Sequence, residues 1–140
     1  MGAIFISYAR EDFDAARTLK SALDAVGLPV WFDLDRLGPG DTFKVKIQDY
    51  VERCSLFLPL LSRNTEARTE GFFRREWNYA LDRDKGIDQR LPFIIPIAID
   101  DNLKLKTLPR RFRDIEITKL PGGRPSAEFV EQLKRAGGRQ

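Results

Sequence analysis

Short apolar runs separated by longer amphipathic stretches constrain the fold of this chain more than any other feature. The runs occupy residues 4–6, 29–32, 56–61 and 92–99, and a brief fifth segment, Ile115-Glu116-Ile117, follows them. Apolar runs of this length, bounded by turn residues, are typical of strands buried on both faces of a sheet. A proline within two of the runs counts against a central position, because proline lacks the N–H that a sheet ladder needs. The runs predict five strands, the last of them near an edge.

Helical periodicity fills most of the intervals between these strands. Asp12 is predicted to cap a helix that ends at Gly27 and buries one stripe of side chains: Phe13, Ala16, Leu19, Leu23 and Val26. The stretch 71–81 is predicted to be a helix with Glu76 at the edge of a buried face formed by Phe73, Trp77, Ala80 and Leu81. Two further helices are predicted to begin at the capping residues Asp41 or Thr42 and Ser126.

This alternation of strands and helices predicts βαβ units and a mostly parallel sheet covered on both faces. Five strands fit a flavodoxin-like three-layer α/β sandwich with strand order 2-1-3-4-5. We expect one domain over residues 1–136, with 137–140 as a tail or linker. Ligands of such sheets bind at the carboxyl ends of the strands. That rule gathers residues 7–10, Ser62 and the helix start with Phe72 and Glu76 around one crevice.

Composition excludes several classes of function. The 140 residues contain no histidine, which removes Ser-His-Asp and Cys-His catalysis and histidine-based zinc sites; we expect no metal and no cofactor. A net charge of +3 with interleaved acids and bases does not favour nucleic-acid binding. No apolar run approaches the length of a membrane span, and no signal peptide is evident. Cys54, the single cysteine, is predicted to be a buried thiol, and a cytoplasmic location is expected.

Four motifs in order resemble the Toll/interleukin-1 receptor (TIR) domain family, in particular its bacterial, NAD-cleaving type. Phe5-Ile6-Ser7-Tyr8 before a charged pair is similar to the family's first strand. Trp31-Phe32-Asp33 with Gly38-Pro39-Gly40-Asp41 is similar to its second strand and BB loop. Phe57-Leu58-Pro59-Leu60-Leu61-Ser62 resembles the third strand, and Arg74-Arg75-Glu76 resembles the Arg-Arg-Glu helix. The resemblance extends over nearly the whole chain, from about Ile4 to Leu133.

The resemblance implies that Glu76 is catalytic and that NAD⁺ is the substrate. It also implies substrate-binding roles for five other residues: Tyr8, Arg10, Asp33, Ser62 and Phe72. All of these residues except Tyr8 also have a plainer interpretation. Glu76 would pair with a basic neighbour on its helix, Arg10 would form a surface ion pair, Asp33 would cap a turn, Ser62 would begin a loop, and Phe72 would be a core aromatic residue.

The expected function is therefore NAD⁺ glycohydrolase or ADP-ribosyl cyclase activity, in the effector domain of a larger bacterial defence protein that also carries a sensor domain. The resemblance further implies activation by self-assembly, as a homo-oligomer or filament with other TIR domains through the BB loop, residues 33–41. The alternative is a non-enzymatic scaffold that mediates TIR–TIR contacts in innate immune signalling. A phosphoacceptor receiver domain fits poorly, because Ser62 stands near the place where that chemistry needs an aspartate. A flavin-binding protein also shares the fold.

Overall fold

The fold is a five-stranded parallel sheet between two layers of helices, as seen in a computed structural model that describes residues 2–31 and 43–137. The strands are β1 (Ile4–Ser7), β2 (Val30–Trp31), β3 (Leu56–Leu61), β4 (Ile97–Ala98) and β5 (Thr118–Lys119). Their order is β2-β1-β3-β4-β5, and every ladder is parallel. The predicted flavodoxin-like fold and its strand order are confirmed.

The central strand β3 accommodates Pro59 by interrupting one of its two ladders. Phe57 donates its N–H to the Phe93 carbonyl and accepts from the N–H of Ile95. Because alternate residues of a parallel strand bond to the same side, residue 59 would donate toward β4 as well. There it has no N–H, and the ladder resumes only at Leu60 opposite Ile97. The proline therefore divides the β3–β4 pairing without removing β3 from the sheet centre.

The fourth and fifth strands differ from their predicted positions. Of residues 92–99, only Ile97–Ala98 form β4, and Ile94 makes an isolated bridge to Phe57. Pro92 and Pro96 have no N–H to donate, which keeps the first part of this run out of a continuous ladder. β5 is at Thr118–Lys119, just after the predicted 115–117, because its register is fixed by pairing with β4. The predicted edge position of this strand is confirmed.

Within the described residues, six α-helices cover the sheet: α1 (Phe13–Ala25), α2 (Phe43–Arg53), α3 (Arg63–Ala67), α4 (Phe72–Asp84), α5 (Arg110–Asp114) and α6 (Ala127–Gly137). One core packs α1 and α6 against the sheet, and the other packs α2, α4 and α5 against the opposite face. Cys54 is buried in the second core, as predicted, and burial raises the pKa of its thiol to about 12. The first residue of the predicted tail, Gly137, is the last residue of α6, and residues 138–140 lie outside the described residues.

Helix α1 shows where local patterns fail. Asp12 precedes the helix but its side chain makes no capping hydrogen bond, contrary to prediction, because its carboxylate binds residues beyond β3 instead. The interior of the predicted stripe is fully buried, whereas Phe13 is 41% exposed and Val26 is 40% exposed. Gly27 ends the helix with φ +82°, the left-handed conformation expected of a glycine there.

Helix α4 is held in place by basic and acidic side chains along its length. Arg83 Nη1 donates to the carbonyl oxygens of Val51 and Cys54 at the end of α2. Asp84 is buried and pairs with Arg111 of α5, with Nε–Oδ2 at 2.8 Å. Because a rigid helix fixes the side chains that project from it, these contacts define the position of Glu76 on the same helix.

Candidate functional site

A cleft of about 740 Å³ opens at the carboxyl end of β1. Its walls are the segment after β1, the beginning of α1, the loop before α4 and the first turns of α4. The lining residues are Tyr8, Arg10, Phe13, Arg68, Thr69, Glu70, Gly71, Phe72, Phe73, Arg74, Arg75, Glu76 and Asn78. The cleft thus lies where the topology of a parallel sheet predicts a ligand site.

Glu76 is the buried acid of this cleft. It is 8% exposed, and Ser7 Oγ donates a hydrogen bond to its Oε1 at 2.6 Å. Burial raises the pKa of Glu76 to about 8, while the hydrogen bond from Ser7 acts in the opposite direction. The charged carboxylate is disfavoured because the cleft floor offers it less solvation than water does. Among the described residues Glu76 has no salt bridge, so it does not pair with a basic neighbour on its helix.

Several aromatic rings line the same cleft as this acid. Phe72 precedes Glu76 by one helical turn and is 41% exposed, so it is not a core residue. The guanidinium carbon of Arg75 lies 5.9 Å from the centre of the Phe72 ring. Tyr8 and Phe13 form a second aromatic group, with ring centres 6.4 Å apart at an angle of 55°. Exposed rings that share a cleft offer flat apolar surfaces on which a planar heterocycle can stack.

Arginine side chains give the cleft a positive wall. Arg10 is exposed and has no salt bridge within the described part of the chain. Arg68 Nη1 is paired with Glu11 Oε1 at 3.2 Å. Arg75 is exposed on α4. Guanidinium groups arranged in this way suit phosphate oxygens, which they bind through paired N–H donors.

Arg74 has a structural task beside the cleft. Its Nη2 donates to the carbonyl oxygens of Thr65 and Arg68, both at 2.9 Å, and Nε also donates to Arg68. Its guanidinium carbon lies 5.0 Å from the Trp77 ring centre and 5.2 Å from that of Phe73. The Arg74 guanidinium group therefore holds the segment between α3 and α4 in place, and this segment forms one wall of the cleft.

Ser62 does not line the cleft. It is 0% exposed; its Oγ accepts from the N–H of Thr65 at the start of α3 and donates to Asp12 Oδ2. Asn64 Nδ2 donates to the other Asp12 oxygen at 2.7 Å. Burial raises the pKa of Asp12, and these two hydrogen bonds oppose that effect. This network ties the segment after β1 to the end of β3, next to the cleft.

The structure thus places four of the six predicted site residues in one cleft: Tyr8, Arg10, Phe72 and Glu76. Ser62 lies outside it, and Asp33, with the rest of residues 32–42, lies outside the described residues. The catalytic role of Glu76 and the substrate-binding roles of the other five residues remain predictions.

Nine of the thirteen residues that line the cleft have no predicted site role, among them Phe13, Arg68 and Arg75. Phe13 is predicted to lie in the buried stripe of α1 but lines the cleft, because periodicity alone does not show where the neighbouring layer ends. Arg68 belongs to no predicted element or motif, and Arg75 belongs only to the Arg-Arg-Glu motif. The signal for the arginines was their closeness in sequence to Phe72.

The chemistry available here is that of a carboxyl group, aromatic rings and guanidinium groups. No cluster of three or more histidine, cysteine, aspartate or glutamate side chains in the described ranges is arranged to hold a metal ion. No helix in those ranges has the length and apolar character of a membrane span.

A model of the TIR domain family matches residues 4–134 of this chain. No match was found among curated proteins. Solved structures with a similar fold include the TIR domain of a Toll-related receptor from Hydra magnipapillata, with a TM-score of 0.66 and 16% identity over 99% of this chain and 94% of that chain.

Two larger proteins are also similar. A TIR-STING receptor from C. gigas, in complex with 2',3'-cGAMP, has a TM-score of 0.70 and 17% identity over 98% of this chain. The TIR domains of the activated Roq1 resistosome, which recognises the pathogen effector XopQ, have a TM-score of 0.61 and 17% identity over 71% of this chain. This chain spans 39% of the C. gigas chain and 60% of the Roq1 chain. Identities this low support a shared fold.

Proposed function

The chain belongs to the TIR domain family, and from this we propose that it cleaves the bond between nicotinamide and ribose in NAD⁺, with Glu76 as the catalytic group. The observation that carries the proposal is the burial of Glu76 in a cleft where its hydrogen-bond partner is a neutral hydroxyl. A buried acid without an ion-pair partner is costly to the fold, and such groups concentrate at functional sites.

One carboxylate suffices for this reaction. The nicotinamide ring of NAD⁺ is cationic and leaves as a neutral pyridine, so the leaving group needs no general acid. Most glycosidases need a second carboxyl group for that step. The remaining task is to stabilise the positive charge that develops on the ribose as the bond breaks. A preorganised anion in a water-poor site does this effectively.

The other residues of the cleft fit the rest of the substrate. Phe72, one turn before Glu76, would stack on the nicotinamide ring. Arg10 would bind the pyrophosphate, and Tyr8 would contact the dinucleotide beside it. Asp33 and Ser62 remain proposed substrate contacts from the family resemblance alone. Hydrolysis and cyclisation share the same first step and differ in whether water or an atom of the substrate attacks the ribose.

The test is nicotinamide release from NAD⁺ by wild type, Glu76→Gln and Glu128→Gln over a steep series of protein concentrations. Glu76→Gln keeps the shape of the side chain and removes the charge. Glu128 is exposed on α6, so Glu128→Gln controls for the loss of a carboxylate elsewhere. We expect release by wild type and Glu128→Gln, and a loss of at least about a hundredfold in Glu76→Gln with its circular dichroism unchanged.

Equal release by all three proteins would contradict the role of Glu76. No release at any concentration, together with concentration-dependent self-association, would instead favour the scaffold that mediates TIR–TIR contacts. The Roq1 TIR domains, which belong to an activated resistosome, make assembly relevant to both functions.

Self-assembly is part of the proposal. A head-to-tail contact that does not close builds a filament and makes activity depend on concentration. The BB loop, residues 33–41, is the proposed contact and lies outside the described residues. We further propose that this domain is the effector part of a cytoplasmic bacterial defence protein with a sensor domain, in keeping with relatives in which the matching region is 39% or 60% of the chain.

A further inference from the structure

Ser7 is the polar end of an otherwise apolar strand. β1 continues from Ile4, Phe5 and Ile6 into Ser7, and all four residues are buried. Ser7 is 0% exposed, so its hydroxyl has no access to water and needs a partner in the protein. It finds Glu76, 69 positions away in sequence, with Oγ and Oε1 separated by 2.6 Å.

We propose that Ser7 is the positioning residue of the site: its hydroxyl holds Oε1 of Glu76 against β1 and thereby presents Oε2 to the cleft. The catalytic meaning of this arrangement rests on the proposed function, whereas the arrangement itself can be measured without it.

The two oxygens of Glu76 have different surroundings. Oε1 accepts from Ser7, whereas Oε2 makes no hydrogen bond to any described residue. Oε2 is also absent from the buried side-chain atoms without a partner, which among the described residues comprise Trp77 Nε1 alone. Oε2 therefore has contact with the space of the cleft, which Glu76 lines.

Both ends of the hydrogen bond are rigidly held. Ser7 belongs to the β1–β3 ladder, where it lies opposite Pro59, and β1 is paired with β2 on its other side. Glu76 lies on α4, which Arg74 fastens to the preceding loop and Asp84 fastens to α5. A hydrogen bond between two fixed elements restricts the rotamer of the glutamate, which a bond to a mobile side chain would not do.

This geometry gives the hydroxyl two effects. It orients the carboxyl group, and as a donor it favours the ionised form over the protonated one. A serine that served packing alone would have neither effect. The distinguishing measurement is therefore the ionisation of Glu76 itself, followed by the pH dependence of turnover.

The experiment records ¹³C NMR titrations of the Glu76 side-chain carboxyl in wild type, Ser7→Ala, Ser7→Cys and Ser55→Ala. The signal is assigned by its loss in Glu76→Gln. Ser7→Ala removes only the hydroxyl oxygen, and Ser7→Cys keeps a similar volume with a weaker donor. Ser55, also buried, precedes β3 at the end of that strand away from the cleft, so Ser55→Ala controls for the loss of a buried hydroxyl.

We expect Ser7→Ala to raise the pKa of Glu76 by about one to two units, the equivalent of one hydrogen bond to a charged group. Ser7→Cys should fall between Ser7→Ala and wild type, and Ser55→Ala should match wild type. Under the proposed function, kcat/KM for NAD⁺ at pH 7 should fall at least about tenfold in Ser7→Ala and recover toward higher pH, because this parameter follows the ionisation of the free enzyme.

An unchanged pKa of Glu76 in Ser7→Ala, or an equal change in Ser55→Ala, would overturn the inference. A loss of activity in Ser7→Ala that is equal at all pH values would also overturn the inference, because that result indicates a packing role. Absence of turnover in wild type would count against the proposed function alone, because the NMR titration decides the positioning role independently.

Discussion

Replacing Glu76 with glutamine should stabilise the protein, and by an amount that grows with pH. In the unfolded chain this carboxyl ionises near its ordinary pKa of 4.5, whereas in the fold burial raises the pKa to about 8. Between these values the unfolded state releases a proton that the folded state retains. Stability from this group is therefore complete below pH 4.5 and is lost as the pH rises toward and through 8.

The magnitude follows from the distance between the two pKa values. Each unit corresponds to about 1.4 kcal/mol, so the full difference approaches 5 kcal/mol. Integrated over pH, wild type should lose about 2–3 kcal/mol relative to Glu76→Gln between pH 5 and 7, and about 1 kcal/mol more by pH 9. Glutamine is neutral throughout and can still accept the hydrogen bond from Ser7.

The assay is urea unfolding at fixed pH values from 5 to 9, followed by tryptophan fluorescence and circular dichroism, with wild type, Glu76→Gln and Glu128→Gln compared at each pH. The difference in free energy of unfolding between two proteins that differ at one position cancels the contributions of all other titrating groups. The difference in free energy of unfolding between wild type and Glu128→Gln should not change from pH 5 to 9. If the difference between wild type and Glu76→Gln does not change with pH either, Glu76 is not a buried acid with a raised pKa.

Two further predictions concern the walls of the cleft. Phe13→Ala should raise the KM for NAD⁺ about tenfold in steady-state assays, because a stacking surface is lost. The control Val26→Ala alters an equally exposed apolar residue at the other end of α1 and should leave the KM unchanged. Equal KM values for the two variants would show that Phe13 does not belong to the site. Arg74→Ala should lower the free energy of unfolding in urea by about 2–3 kcal/mol, because the carbonyl oxygens of Thr65 and Arg68 lose their donor. Arg113 is exposed on α5, so Arg113→Ala should lower it by under about 0.5 kcal/mol. Similar losses in the two variants would show that the Arg74 guanidinium does not hold the loop.

The sheet was predictable because its signals are local and repeated. Each apolar run marks a strand wherever it pairs, and the parallel order follows from helices that alternate with strands. The exact ends of β4 were not predictable, because Pro59 faces β4 whereas Pro96 faces β5, and only the pairing shows which ladder each missing N–H belongs to. The short helix α3 was not predicted, because its capping box has Thr65 at the position where the sequence signature of such a box has Glu or Gln.

The site was predictable in its location and less so in its contacts. Topology places the end of β1 beside the start of α4, and this brings Tyr8 and Glu76 to one cleft. Partners distant in sequence were beyond reach: Asp12 carries the features of a helix cap, yet its carboxylate binds Ser62 and Asn64 across the sheet edge. Periodicity likewise assigned Phe13 to the core, because a helical stripe does not reveal where the neighbouring layer ends.

The raised pKa of Glu76 and the cationic substrate of the proposed reaction explain each other. Burial raises the pKa of Glu76 to about 8 and so favours the protonated acid near neutral pH, which spares the fold an uncompensated charge at the cleft floor. A pyridinium ring bound beside Phe72 would supply the missing positive charge and favour the carboxylate, which is the form that stabilises a ribosyl cation. A neutral reduced nicotinamide offers no such compensation. The environment that makes Glu76 costly to the fold therefore also makes its ionisation depend on the charge of the ligand it would act upon.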